Sequence, residues 1–480
     1  MTKEGTPFKI LCAEPDPALP EDIAVFFPEA SSPGTNFLSE RKRNPGLFSD
    51  GLDYDTWVRK QSLSSFKELH ETGAVDEAEP EAIAKKIADI FEQKLPWGKS
   101  LCEETPQQIY QDIFNRTILH LSGKIDHQAH LYKEFNHVCH LAAINLIREL
   151  DDENSVNHIR KEGQVDIYRL VQLAVLSGYT GINLKSSASA ASNIFNVNDI
   201  PVDKKLLEMS GSMTAEHPEI KRIIRQLLEV SKRPNRQLEL SGLPQYMSEV
   251  AFSKKPVLLV FWPDDYFESL IDLKRFELLL EGNHHLTVLF VPRFGRYGND
   301  LAFEDMEQVL REPEFSGIKR FIGERFFISG NGPRCGCIDP RFISAGLISE
   351  IRRLGERRKI VFETKGCRNF EMVKGCLKVP WYPSFNVNRE LSVRTLGISG
   401  PPVFLRIPPG LPAFDGFTNP KIQRIDGYDG GDVMLANFTT IDLFRLTRTA
   451  QYNEYLSRHA DEYEANLRLR YQTPELVIEN

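Results

Sequence analysis

At 480 residues, with 41% hydrophobic and 26% charged residues, the chain has the composition of an ordinary soluble globular protein, long enough for about two or three domains. Its formal charge of −8, from 59 Lys and Arg against 67 Asp and Glu, argues against a broad nucleic-acid footprint. Seven scattered cysteines do not make a disulfide scaffold, and no run approaches the roughly 18 apolar residues of a membrane span. The first residues, Met1-Thr2-Lys3-Glu4-Gly5, carry no apolar leader core. The expectation is a cytoplasmic protein in a reducing compartment, with a small-molecule substrate and neither nucleic acid nor membrane as partner.

Residues 1–52 are rich in Pro, Ser, Gly and charge, with a turn signal at Ser31-Ser32-Pro33-Gly34, and read as an irregular arm. Helical spacing begins with Tyr54, Trp57 and Val58. It continues through Ile83, Ile87 and Phe91, then Ile109, Ile113 and Ile118, and then two stretches over Leu131–Leu150 and Val165–Leu176. Residues 203–231 are helical again, so 53–245 is expected to be a helical domain. From Pro256 the pattern changes. Short apolar runs predict strands at Val257–Trp262, Thr287–Val291, Arg325–Ser329, Lys359–Glu363 and Val403–Ile407, with helical segments between them. One of these, from Asp272 to Glu281, has amphipathic spacing. Alternating strands and helices imply a parallel sheet, so 246–480 is expected to be a three-layer α/β/α, Rossmann-like domain. Thr439–Tyr471 has the spacing of a final helix that covers one sheet face.

Open parallel sheets bind ligands at the carboxyl ends of their strands. Asp264 and Asp265 follow the first predicted strand and Asp300 follows the second. Carboxylates at neighbouring strand ends supply hard oxygen donors for Mg²⁺ or Mn²⁺, which would polarise a phosphoryl oxygen and orient water. The alternative is that they are turn residues or helix caps, for which Asp is equally suited. Lys365-Gly366-Cys367-Arg368-Asn369 follows another strand, and a Lys and Gly opening a helix suit an anion. An ordinary turn with a solvated lysine fits the same residues. His127, His130, His137 and His140 cluster in the helical part. His137 and His140 share a helix face with Glu134 one turn earlier, which makes either a metal face or a set of solvated histidines. Cys335-Gly336-Cys337, Cys367 and Cys376 lack the two-residue spacing of zinc sites.

In this order the segments resemble the metal-dependent damage-control phosphatase family (domain of unknown function 89), and within it the subfamily III branch. That branch contains sugar-phosphate phosphatases and proteins described as acidic-residue methyltransferases. The family's Asp-Asn-Ala-Gly-Phe-Glu segment, followed three residues later by Asp-Leu, is similar to the stretch ending in Phe267-Glu268 and Asp272-Leu273. Its next ligand matches Asp300 after Asn299. Its Lys-Gly-Asp-Leu-Asn-Tyr-Arg segment matches Lys365 to Glu371, with Trp381 following. Its Arg-Thr-x-Lys motif resembles Arg394-Thr395-Leu396-Gly397, and its Gly-Asn-x-x-Asp-Leu segment resembles Gly178 to Leu184. The resemblance spans roughly residues 50 to 420.

The departures are as informative. Pro263 stands at the first ligand position, with Asp264 in place of the Asn. Cys367 replaces an Asp, Gly397 replaces a Lys expected to face phosphate, and Val138-Cys139-His140 stands where the family has Tyr-Arg-Arg. The resemblance implies a divergent hydrolase of a small phosphorylated metabolite. Asp264 and Asp300 would be catalytic. Asp264, Asp300 and Asp265 would hold a divalent metal (Mn, Mg, Co or Ni), with His137, from the histidine face of the helical part, as a further candidate ligand. Lys365, Asn369, Arg394 and Glu134 would face the substrate. Two other uses of the fold stay open. One is a repurposed transition-metal enzyme with Fe or Mn on Asp and His ligands, acting on a substrate without phosphate. The other is a non-catalytic binding protein on an altered site. The methyltransferase reading finds only a loose match at Tyr54 to Lys60.

Overall fold

The computed structural model describes residues 52–71, 79–92, 132–161, 204–231, 243–295, 299–333, 343–366 and 379–386, with short pieces and single residues between and beyond them. Most of the N-terminal arm and the expected final helix at Thr439–Tyr471 lie outside the described residues. So do His127, His130, Cys335, Cys337, Cys367, Cys376, Arg394 and Gly397.

Helices α1 (Tyr54–Glu71) and α2 (Pro80–Phe91) follow the first apolar stripe. Trp57, Val58, Ile83, Ile87 and Phe91 are buried, and Phe91 meets Phe114 edge-on at 5.4 Å between centroids. Helix α3 (Lys133–Asp151) buries Phe135, Val138, Ala142, Leu146 and Leu150, which recur every three or four residues along one face. Helix α4 (Pro218–Ser231) packs beside it.

Among the described residues the main sheet has six strands: β1 (Val257–Trp262), β2 (Leu286–Phe290), β3 (Phe326–Ile328), β4 (Lys359–Lys365), β5 (Trp381–Asn386) and β6 (Pro402–Phe404). Their order is β6-β5-β4-β1-β2-β3, parallel except for the antiparallel edge strand β6. Every residue of β1 and β2 is buried, as a parallel strand covered on both faces requires. Each buried Val, Leu or Phe contributes about 1.5–3 kcal/mol of transfer free energy.

The two faces of β1 separate by parity. Val257, Leu259 and Phe261 join the core shared with the helical segments, where Phe261 packs edge-on against Phe276 of helix α5 (Tyr266–Gly282) at 4.8 Å. On the other face Trp262 meets Phe362 at 4.8 Å, and helix α6 (Ala345–Gly355) lies over the strand. The result is the expected α/β/α layering, with α5 and then α3 on one side and α6 on the other.

The expected strands are all present: Val257–Trp262 has the expected bounds, and the other four differ at one or both ends by one to three residues. Strand β5 is an addition: Pro383 within Trp381-Tyr382-Pro383-Ser384 masks its strand character in the sequence. Helix α5 differs from the amphipathic segment expected there, because it is buried on every side from Tyr266 to Leu280. Among the described residues no helix is long and apolar enough to cross a membrane.

Candidate functional site

The chain runs outward from β1 to β2 and β3, then crosses back to place β4 on the other side of β1. The carboxyl ends of β1 and β4 therefore flank the point where the winding reverses, which is where open sheets of this kind leave a crevice. Asp264 and Asp265 leave β1 there, and Lys365-Gly366 leaves β4. Gly366 has φ +84°, and a Cβ added to it would lie 1.8 Å from Asp264 Oδ2. Only glycine lets the β4 turn approach that carboxylate so closely.

Asp300 is brought to the same place by backbone pairing. Asp265 and Asp300 form an antiparallel bridge, Tyr266 N donates to Asn299 O at 2.7 Å, and Leu301 N donates to Asp264 O at 3.1 Å. Asp265 stands at the N-cap position of α5 but does not cap it with its side chain; its Oδ1 accepts from Asn299 Nδ2 at 2.8 Å.

Between the carboxylates lies a side chain that the sequence reading passed over. Arg293 is 2% exposed. Its Nε donates to Asp300 Oδ2 at 3.0 Å, and its Nη2 lies 3.4 Å from Asp264 Oδ1 and 3.1 Å from Asn369 Oδ1. Asn369, fully buried, also accepts from Ile338 N at 2.8 Å and donates to Lys365 O at 2.7 Å. The one available sequence signal for Arg293 is its position, a basic residue after an apolar run and seven residues before an Asp.

Lys365 points inward, away from the part an anion-binding lysine would play. Its Nζ donates to Ala174 O at 2.7 Å and sits 3.2 Å from Asp272 Oδ2 and 3.5 Å from Glu268 Oε2. Burial opposes its charge, but Asp272 and Glu268 outweigh that and hold its pKa above the ordinary lysine value. Arg275 and Glu363 complete this buried cluster, with Nη2 to Oε1 at 2.8 Å. Burial pushes Glu268 well above the ordinary glutamate range. Lys365 opposes that shift, and the nearby Asp265 and Asp264 charges add to it.

The helical part reaches α5 at its start. His140, buried, has Nδ1 3.2 Å from the Tyr266 hydroxyl and Nε2 3.2 Å from Glu312 Oε1. Its neighbour Cys139 is buried, and desolvation together with the Asp265 charge raises its thiol pKa well above normal. His137 is half-buried and its pKa is lowered, first by desolvation and then by His140, while a hydrogen bond to the Ser210 backbone opposes the shift. Glu134 is exposed.

The set Asp264, Asp265 and Asp300 has the oxygen chemistry of a Mg²⁺ or Mn²⁺ site, but as arranged it does not fit a divalent ion. A guanidinium lies between two of the carboxylates, and it has no lone pair to ligate a metal. Among the described residues no group of three or more His, Cys, Asp or Glu side chains is arranged to hold a metal.

Fold and site together describe an α/β/α protein with a cluster of buried and half-buried polar side chains at its topological switch point. Comparison of the sequence with protein-family models and with curated proteins returns no match. Among solved structures, one that is similar is the crystal structure of a DUF89 family protein from Pyrococcus horikoshii. It is 12% identical, with 72% of this chain and 97% of that chain covered and a TM-score of 0.48. A likeness of that degree carries no residue assignments.

Proposed function

We propose that the chain is a small-molecule-binding protein that holds its ligand in the crevice between the carboxyl ends of β1 and β4, without phosphoryl transfer. The observation that carries this reading is the direction of Lys365. The cation expected to meet a substrate phosphate is 2% exposed on its side chain and is satisfied by Ala174 O and Asp272. A phosphate in the crevice would meet Asp264, Asp265 and Asp300, and like charge disfavours it. With Arg293 already pairing Asp264 and Asp300, neutral polar molecules are favoured there.

The test is turnover of p-nitrophenyl phosphate and a panel of sugar phosphates by the purified chain with Mn²⁺, Co²⁺, Ni²⁺ or Mg²⁺. The expected result is no hydrolysis above that of Asp300→Ala. A second reading keeps the phosphatase chemistry that the resemblance implies: metal-dependent hydrolysis of a small phosphorylated metabolite, which would need the Arg293 guanidinium to leave Asp264 and Asp300. The convergence of the post-β1 and post-β2 loops through the Asp265–Asp300 bridge favours it. Metal-dependent turnover that disappears in Asp300→Ala would establish that second reading instead.

A further inference from the structure

We infer that Arg293 is a resident cation of this site, taking the seat that a divalent metal would need, and that removing its guanidinium converts Asp264, Asp300 and Asn369 into a Mn²⁺ site. Three observations lead there. The guanidinium is 2% exposed and lies within 3.4 Å of carboxylate oxygens on both Asp264 and Asp300. Buried carboxylates need a cation close by, and a fixed positive charge supplies it without any bound ion.

The placement is also set by the backbone. Arg293 N donates to Leu301 O at 3.3 Å, and Phe303 N donates to Arg293 O at 2.7 Å. These two bonds anchor the stem of Arg293 to the segment that carries Asp300. Asn369 is held from two further directions, by Ile338 N and by Lys365 O, so its amide oxygen is aimed at Nη2. The arrangement is built around a planar donor.

The chemistry is mutually exclusive. Asp264, Asp300 and the Asn369 amide oxygen are hard oxygen donors of the kind that hold Mn²⁺ or Mg²⁺. With Arg293 in place each faces a donor, and a dication entering between them would meet a positive charge only a few ångströms away. With Arg293 gone the same oxygens lose the positive charge between them, which a dication would replace.

This inference rests on the proposed location of the site, but it fails on metal binding, whereas that reading fails on turnover. The probe is Mn²⁺ alone, titrated into the full chain and read as loss of free Mn²⁺ by electron paramagnetic resonance, with the melting temperature followed in parallel. Wild type and Arg293→Lys are expected to show no saturable binding at millimolar Mn²⁺. Arg293→Ala is expected to bind Mn²⁺ saturably, to melt below wild type in EDTA, and to regain stability when Mn²⁺ is added. Adding Asp300→Ala to it should abolish the binding. Should Arg293→Ala fail to fold, Arg293→Met keeps most of the stem and carries the same expectation. Saturable binding by wild type overturns the inference. So does a folded Arg293 variant, Ala or Met, that takes up no Mn²⁺.

Discussion

Replacing Arg275 with Met tests whether the cluster beneath the crevice is held by charge. Arg275 is 1% exposed. Its Nη2 lies 2.8 Å from Glu363 Oε1, its Nη1 is 3.2 Å from Glu363 Oε2 and 2.8 Å from the Tyr246 hydroxyl, and its Nε is 2.8 Å from Asp272 Oδ1. Met fills much of the same volume, so the loss is chiefly electrostatic. Lys365 is then the remaining cation against the buried Glu363 and Asp272. Breaking a buried pair by removing one partner costs about 3–5 kcal/mol, and that is the loss expected in urea unfolding near neutral pH.

The pH dependence has a definite sign. Burial already raises the Glu363 pKa above its ordinary value, with Arg275 pulling it down. Without Arg275 it rises further, so the acid accepts a proton in the folded state. A raised folded pKa gives stability that is present below the unfolded value and lost as pH rises through the folded one. The variant's deficit is therefore smallest at and below the ordinary glutamate range and grows as pH rises above it. Adding Glu363→Gln should recover about half or more of the loss at neutral pH. A deficit under about 1 kcal/mol, or one that does not vary with pH, would refute the electrostatic account.

Two further substitutions probe the crevice itself. Gly366→Ala places a methyl group on Asp264 Oδ2 and a side chain at φ +84°, so a loss of about 1–3 kcal/mol is expected in thermal or chemical unfolding. Unchanged stability would mean that the β4 turn does not press on Asp264. Glu268→Gln removes a carboxyl group whose pKa burial has raised. Relative to wild type the variant should gain stability as pH climbs from the ordinary glutamate range through the raised folded value. A difference in melting temperature that stays flat over that range contradicts the shift.

Much of the sheet was legible because β1 is apolar throughout and β2 is apolar but for Thr287. Val257–Trp262 and Leu286–Phe290 are buried at every position, and such runs have few other uses. Strand β5 was not legible, since Pro383 and Ser384 break the pattern and its pairing with β4 is a tertiary fact. Helix α5 misled for a related reason. Its charged residues Asp272, Lys274, Arg275 and Glu277 gave the segment amphipathic spacing, yet these and Glu268 are all buried, and each meets an opposite charge. Lys274, for example, pairs with Asp151 at 2.8 Å on α3. Of the candidate site, the strand-end positions of Asp264, Asp265 and Asp300 could be read from spacing. The side-chain directions of Lys365 and Arg293 could not, because one-dimensional order does not tell a lysine facing a ligand from one facing Asp272.

The enclosure of α5 also bears on how the chain can be divided. Lys274 reaches Asp151, Lys365 reaches Ala174 O, Arg148 reaches Glu314 at 2.6 Å, and apolar residues of α3 and α4 share one core with β1 and β2. Neither side of residues 232–242 can then keep its apolar surface dry alone. A polypeptide cut in that interval would behave as two fragments that fold only on meeting, and mixing them should restore what neither has separately. The covalent link is expected to be dispensable there, and the interface around α5 is not.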